Sequence, residues 1–352
     1  MADFEYFESV ASCCAPAEDG VEEEPPQWHV SNSPSCAQSA LVNSQGLHLA
    51  CFEWPPLVAP VRGVVLLYHG IDSNTRYEFL RHRSILSGGE ALGLQYERSM
   101  VQALNEAGFV CVGADMQSYG TSERVEADAM GYFERFSDIE RDARLVFEDA
   151  RARYPNVPAF ALGVSYGGLV TASLAAALGG TGDLAGAVLL APALSLEKLK
   201  AQPLNAILYP ISTQLSAYFP QTPLADKSLN VKFPLLKADD AMDDCTGVYT
   251  GKLRARVGHE TLLATDRVRG AAPAVTAPLL VVHARGDTMC DPAGSLEFHA
   301  RAGSSDKTFV YADAIDGVDE MWHGLTQEPG SDAVAEYVCS WLLARASREA
   351  PG

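Results

Sequence analysis

A serine with a glycine two residues to either side is the first candidate for chemistry in this chain. Ser165 is the centre of a Gly-x-Ser-x-Gly pattern whose glycines are Gly163 and Gly167. The pattern is typical of a nucleophile elbow, a strained turn between a strand and a helix that exposes a serine hydroxyl. Because long chains contain it by chance, the prediction depends on an acid, a base and an oxyanion site elsewhere in the sequence.

A candidate acid and a candidate base follow Ser165 along the chain, in the order expected when a nucleophilic serine lies on an α/β sheet. A serine hydroxyl needs a neighbouring imidazole as base, and that imidazole needs a carboxylate to orient it. Asp287 comes just after the apolar run 278–283, and His323 lies between the last predicted strand and the last predicted helix. These positions predict Asp287 as acid and His323 as base, with Asp291 as the alternative carboxylate.

Two other residue types in this part of the chain have ordinary structural interpretations. Asp291 precedes a proline, which is typical of a helix cap. His283 falls inside a predicted strand and His299 on a predicted helix, so we assign neither to catalysis. His323 therefore stays the predicted base.

Backbone donors for an oxyanion are predicted at two places. Tyr166 directly follows the serine, so its N–H stands at the elbow. His69 and Gly70 end the first buried strand, and Gly70 would let the chain turn so that the Ile71 N–H faces the reacting carbonyl. Each such donor typically lowers the barrier by about 3–4 kcal/mol.

Strands and helices alternate around these residues. A hairpin is predicted at 39–54, and a closing amphipathic helix near Ser331. Between them, apolar runs typical of buried strands lie at 63–68, 108–115, 157–162, 187–191, 278–283 and 307–311. This alternation predicts a mostly parallel, doubly wound sheet, in which 193–275 is an insertion without a buried strand.

Composition divides the 352 residues further. Residues 1–35 are acidic and proline-containing, and we expect a poorly ordered tail. Residues 36–192 and 276–352 form the predicted α/β core, and 193–275 the predicted cap.

Charge and cysteine usage exclude several function classes. The net charge of −19 argues against nucleic acid and against electrostatic attachment to anionic lipid. The eight cysteines have neither metal-ligand spacing nor disulfide-scaffold density, and no secretory signal or spanning segment is visible. We predict a cytoplasmic protein, at most peripheral to membranes, that needs no metal or cofactor; the oligomeric state stays open.

Several segments together carry a resemblance to a known family. From about residue 36 to 347 the chain resembles the monoacylglycerol lipase and lysophospholipase branch of the α/β-hydrolases, its plant and protist members most of all. The matching segments are Tyr68–Gly70, Ala107–Phe109, Ala114–Asp115, Gly120–Ser122, Gly163–Gly168, Thr276–Pro278, Gly286–Asp287, Cys290–Pro292, Ser305–Thr308 and Met321–Leu325. The resemblance implies an α/β-hydrolase fold with a helical cap insertion, the same triad and oxyanion amides, and a channel-lining thiol at Cys290.

The chain also departs from that family pattern. Val164 and Tyr166 flank the serine where histidine and methionine are usual, and 72–94 and 312–320 are longer. In the cap, the apolar side chains expected to line a substrate channel or to touch lipid are Leu204, Ile207, Leu208 and Ile211. The alternative is a cap helix that only packs its apolar side on the core.

The predicted activity is hydrolysis of carboxylic esters of lipids with one acyl chain, monoacylglycerol or lysophospholipid, through an acyl-enzyme on Ser165. A non-lipid carboxylesterase or an acyltransferase would use the same triad. A catalytically silent binding protein on this fold is a minor alternative. The predicted partners are the lipid ester and a transient membrane contact through the cap, with no nucleic acid.

Overall fold

Eight strands form the central sheet of the protein. The structure is a computed structural model and describes residues 36–88, 93–225, 249 and 251–347, so the expected tail at 1–35 lies outside the described residues. In spatial order the sheet contains β1 (Ala37–Val42), β2 (His48–Trp54), β6 (Phe109–Ala114), β3 (Gly63–Tyr68), β7 (Ala159–Val164), β8 (Gly186–Leu190), β11 (Leu279–His283) and β12 (Lys307–Tyr311).

Six neighbouring strands of this sheet are parallel. The hairpin β1–β2 adds two antiparallel strands at one edge, where β2 pairs antiparallel with β6. Every other pairing, from β6 to β12, is parallel. The four strands β3, β7, β8 and β11 are buried along their whole length, as their uninterrupted apolar sequences require of strands covered on both faces. The predicted mostly parallel, doubly wound sheet is confirmed.

Helices connect the strands and cover the sheet. Among the described residues they are α1 (Thr75–Phe79), α2 (Arg83–Ser87), α3 (Met100–Glu106), α4 (Phe136–Arg153), α5 (Tyr166–Ala177), α6 (Glu197–Lys200), α7 (Pro203–Leu208), α8 (Ser212–Tyr218), α9 (Ala255–Gly270), α10 (Pro292–Arg301) and α11 (Ser331–Ala346). Within the described ranges, none of them has the length and apolar content needed to cross a bilayer.

The chain leaves the sheet after β8 and returns to it at β11. These two strands are direct neighbours, with Leu279 opposite Ala187, and none of the described residues between 191 and 278 belongs to this sheet. Their described portion is mainly helical, from α6 to α9, with one short strand pair, β9 (Pro223–Ala225) and β10 (Leu253–Arg254). The segment before α3 also has its own elements, since α1 and α2 flank a small strand pair, β4 (Arg81–His82) and β5 (Leu94–Gln95).

Candidate active site

Ser165 lies on a sharp turn between strand β7 and helix α5. Its backbone has φ 53° and ψ −115°, a conformation that side-chain-bearing residues rarely adopt. The turn is tight because Gly163 and Gly167 have no side chains: a Cβ on Gly163 would lie 2.1 Å from the Gly167 carbonyl oxygen, and one on Gly167 would lie 1.9 Å from that of Tyr68. Such strained backbone costs about 1–3 kcal/mol and persists only where its surroundings hold it.

Strand β8 and the loop after it hold the turn. The Ser165 N–H donates to the Leu190 carbonyl at 2.9 Å, and the Ser165 carbonyl accepts from the Ala193 N–H at 2.9 Å. Both bonds come from the same neighbouring strand end, so the serine is fixed at the carboxyl edge of the sheet. At this edge loops from different parallel strands converge, which is where open α/β sheets place ligand sites.

Three of the predicted side chains form one line of hydrogen bonds. The Ser165 Oγ lies 3.0 Å from His323 Nε2, and His323 Nδ1 lies 2.7 Å from Asp287 Oδ2. A carboxylate can only accept, so the imidazole hydrogen is on Nδ1, and Nε2 is left to accept from the serine hydroxyl. The arrangement can therefore take a proton from Ser165 as its oxygen attacks a carbonyl carbon.

Asp287 is fully buried, and both of its carboxylate oxygens accept hydrogen bonds. Its Oδ1 accepts from the backbone N–H groups of Met289 and Cys290 at 2.7 and 3.0 Å. Its Oδ2 lies near both His323 and His283 Nε2, the latter at 3.1 Å. Burial alone would raise the pKa of this carboxyl, but the charge of His323 and the hydrogen bonds from both imidazoles lower it well below its usual range. Asp287 is therefore an anion that orients His323.

A second buried carboxylate holds the loop that carries His323, the predicted base. Glu328 is fully buried and accepts from the backbone N–H groups of His323 and Gly324 at 2.9 and 2.8 Å, and from that of Trp322. Burial lowers the pKa of His323, but the charge and hydrogen bond of Asp287, together with the charges of Glu328 and Glu78, raise it overall. The carboxylates around the imidazole thus make it a stronger base.

The predicted oxyanion loop lies beside the serine. Gly70 approaches so closely that a Cβ there would be 3.6 Å from Ser165 Cβ. The buried His69 lies with Nδ1 2.8 Å from the Gly70 carbonyl oxygen, while its Nε2 accepts from the Met116 N–H at 2.9 Å, so Nδ1 carries the hydrogen. Because the Gly70 carbonyl and the Ile71 N–H share one planar trans peptide, anchoring the carbonyl also fixes the direction of that N–H.

Both predicted oxyanion amides are available. Among the described residues, no group accepts a hydrogen bond from the N–H of Ile71 or of Tyr166. Tyr166 is the first residue of α5, where helix geometry leaves the N–H without an intrahelical partner. Its ring is buried against Phe133 and Phe136, with ring centroids 6.1 and 5.7 Å away. The Tyr166 side chain is thus part of the core beneath the elbow, and the core has room for a tyrosine at this position.

Glu78 joins the oxyanion loop to the loop of the base. Its Oε2 accepts from the Gly70 N–H at 3.1 Å, and its Oε1 from the Thr326 hydroxyl at 3.3 Å. The Gln327 side chain completes the connection by donating to the carbonyls of Glu78 and Leu80 at 3.0 and 2.7 Å. Residues 78–80 therefore connect the predicted oxyanion loop to the loop that carries His323.

The alternative carboxylate, Asp291, serves another purpose. Its side chain accepts from the Ala293 N–H at 3.1 Å and caps α10, as its position before a proline indicates. Lys198, from the segment after β8, lies with Nζ 3.5 Å from Asp291 Oδ1 and donates to the Asp287 carbonyl at 2.9 Å. Asp287, and not Asp291, is the carboxylate in contact with His323.

The predicted channel residues fall into two groups. Cys290 is buried beside the serine: burial raises the pKa of its thiol well above the ordinary value, which a hydrogen bond with Ser165 partly offsets. Ile207 and Ile211 are exposed and Leu208 is half-buried, while the Leu204 side chain lies outside what the structure describes. A channel role for Leu204, Ile207, Leu208 and Ile211 stays a prediction.

Sequence reasoning missed three polar residues that hold this site. His283, Glu328 and Glu78 contact the acid, the loop of the base and the oxyanion loop. A histidine in a strand and glutamates in loops are ordinary features, so no local pattern identified them. His283 lies four residues before Asp287, Glu328 lies five after His323, and Glu78 lies eight after Gly70. These spacings are visible in the sequence but have no meaning without the fold.

Comparisons with known proteins identify a family and several relatives of this chain. Residues 84–330 match the family described as serine aminopeptidase, S33. The chain is 27% identical over 271 residues to the monoglyceride lipase of Homo sapiens, covering 76% of this chain and 79% of that protein. It is 25% identical over 288 residues to the caffeoylshikimate esterase of Arabidopsis thaliana, covering 79% and 76% respectively.

A solved structure shows the same fold. The monoacylglycerol lipase of Paleococcus ferrophilus superposes with a TM-score of 0.62 at 18% identity, covering 84% of this chain and 99% of that one. The predicted α/β-hydrolase fold is thereby confirmed.

Proposed function

Because this chain belongs to the serine aminopeptidase S33 family, we propose that it is a carboxylic ester hydrolase of the lipase type, acting on lipids with one acyl chain. The observation that carries the proposal is the hydrogen-bonded line from Asp287 through His323 to Ser165. The family description names a peptidase, but the same acyl-enzyme chemistry serves esters and amides. The lipase and esterase relatives support ester cleavage.

In the proposed reaction Ser165 Oγ attacks the ester carbonyl carbon and its proton passes to His323 Nε2. The oxyanion that forms accepts hydrogen bonds from the N–H groups of Ile71 and Tyr166. The carbon–oxygen bond to the alcohol then breaks, and His323 gives the alcohol its proton. A water molecule repeats the sequence on the acyl-enzyme, which releases the fatty acid and restores Ser165.

A lipid substrate is supported by the segment between β8 and β11. Residues 203–219 contain no charged side chain, and Ile207, Tyr218 and Phe219 are 69%, 76% and 60% exposed. Exposed apolar and aromatic side chains are suited to weak, reversible contact with a lipid surface. In this proposal 193–275 is a cap through which the acyl chain enters.

A second candidate is an esterase of small, non-lipid esters. It is supported by the similarity to the caffeoylshikimate esterase. The two candidates share the triad and differ only in what occupies the acyl and alcohol sides of the site, so the substrate separates them.

The test combines a serine-directed probe with a substrate panel. We expect a fluorophosphonate probe to label the protein but not its Ser165→Ala variant. We further expect hydrolysis of monooleoylglycerol or lysophosphatidylcholine to exceed that of p-nitrophenyl acetate and of an aminoacyl p-nitroanilide. Absence of Ser165-dependent labelling would contradict the serine mechanism. Activity on the short ester alone would favour the second candidate, and activity on the anilide alone would favour a peptidase.

A further inference from the structure

A second imidazole touches the catalytic carboxylate. His283 is the last residue of β11 and is fully buried. Its Nε2 lies 3.1 Å from Asp287 Oδ2, and its Nδ1 lies 2.9 Å from the hydroxyl of Ser295 on α10. The proton transfer proposed above does not use the His283 side chain, although this side chain is in direct contact with Asp287.

The contacts of His283 determine where its hydrogen is. Nε2 faces two acceptors, Asp287 Oδ2 and the Cys290 carbonyl, each at 3.1 Å. Two acceptors can be satisfied only by a donor, so Nε2 carries the hydrogen. Nδ1 faces a hydroxyl, which can donate to it. An imidazole with its hydrogen on Nε2 therefore satisfies every group around it.

The hydrogen bond from His283 Nε2 affects both the orientation and the charge distribution of the Asp287 carboxylate. Its Oδ1 is occupied by two backbone N–H groups, and its Oδ2 receives both His323 and His283. The carboxylate plane is thus fixed from both sides. A second donor on Oδ2 also withdraws negative charge from the bond to His323, so the acid raises the basicity of the imidazole less than an unshared carboxylate would.

We infer that His283 is a positioning residue, which holds Asp287 through Oδ2 and thereby sets the basicity of His323. The inference rests on the proposed function, because it assigns His323 as the base. His323 is also faced by Glu328 and Glu78, and the Asp287 loop by Lys198. All three stay in place when only His283 is replaced, so a change in titration reports the His283 contact.

The experiment compares two replacements of His283 in the full chain. His283→Leu removes the donor, whereas His283→Gln can place an amide N–H at the position of Nε2. For His283→Leu we expect kcat to fall about 10- to 100-fold with KM little changed, and the acidic limb of the kcat/KM profile to move up by roughly half a pH unit. In His283→Gln, the acidic limb should return to its wild-type pH, and most of kcat should be restored.

Two further variants keep the test decisive. His48→Leu removes an exposed histidine of β2 and should leave the limb unchanged. If His283→Leu does not fold, Ser295→Ala removes only the support of Nδ1 and should shift the limb in the same direction, by less.

The outcomes separate this inference from the proposed function. A wild-type enzyme without Ser165-dependent labelling would remove the proposed function. If the wild type is labelled and active, but the acidic limb of the kcat/KM profile does not move in His283→Leu, only the role of His283 is overturned. The same conclusion follows if the limb moves equally in His283→Leu and His283→Gln.

Discussion

The carboxyl edge of the sheet and the segment 203–219 differ in how firmly their side chains are held. At the sheet edge, the buried carboxylates Asp287 and Glu328 accept several hydrogen bonds each, and the elbow glycines leave no room for a methyl group. In 203–219, apolar side chains such as Tyr218 extend into solvent. The first region is suited to precise geometry, and the second to adaptable contact.

Under the proposed function, this difference separates the chemistry from the choice of substrate. Proton transfer requires reacting atoms within hydrogen-bond distance, and buried polar contacts are strong because water does not compete with them. Recognition of an acyl chain requires only apolar area, which an exposed surface provides without fixed geometry. Changes at the sheet edge should therefore alter kcat, and changes in 203–219 should alter the response to lipid.

The largest expected effect comes from removing His323, the proposed base. His323→Ala should reduce kcat roughly 10⁴- to 10⁶-fold for every substrate, because the Ser165 hydroxyl then loses the imidazole nitrogen that lies 3.0 Å from it. The melting temperature should stay close to that of the wild type, as measured by thermal unfolding. Retention of most of the activity would mean that another residue is the base.

A smaller but combined effect is expected at the elbow. Gly167→Ala places a Cβ 1.9 Å from the Tyr68 carbonyl oxygen, so the turn must shift, at a cost of about 1–3 kcal/mol in stability and with a loss of kcat. Denaturant unfolding and kinetics would measure both. Gly270→Ala is the matched control, since a Cβ there meets nothing within 4 Å. Equal effects of the two variants would contradict the tight packing of the elbow.

The pH dependence should report the carboxylates around His323. Because the pKa of this imidazole is raised above its ordinary value of 6.5, it stays protonated to higher pH, and only the neutral form can accept a proton. Activity should therefore rise with pH through an acidic limb whose midpoint lies above 6.5. A kcat/KM profile for a soluble ester measures this, and a midpoint at or below that value would contradict the electrostatic argument.

The smallest effect is expected on the exposed segment. Tyr218→Ser should raise KM for dispersed monooleoylglycerol by a few-fold, about 2- to 5-fold, and leave kcat/KM for p-nitrophenyl acetate unchanged. Leu296→Ser, an exposed apolar residue of α10 that is 45% accessible, is the control outside the segment. If both substrates respond equally to Tyr218→Ser, the segment does not select for lipid.

Much of the framework could be predicted from local sequence patterns. The runs 63–68 and 307–311 correspond to strands with the same bounds, and the closing helix begins at Ser331 as predicted. The strand before the elbow extends to Val164, two residues beyond its predicted end, since the motif itself continues the strand into the turn. Apolar periodicity identifies these elements because burial on a sheet depends on residue type and spacing alone.

The order of Ser165, Asp287 and His323 along the chain, the glycines around the serine and the alternation of strands and helices were all determined by the sequence itself. Each is a local property, readable without knowing which loops meet. Only the tertiary structure decided that His283 contacts Asp287, that Glu328 holds the loop of His323, and that Glu78 joins this loop to Gly70. These contacts are hydrogen bonds between residues that lie at least four positions apart in the chain. Such bonds depend on distances of about 3 Å, which no spacing along the chain specifies.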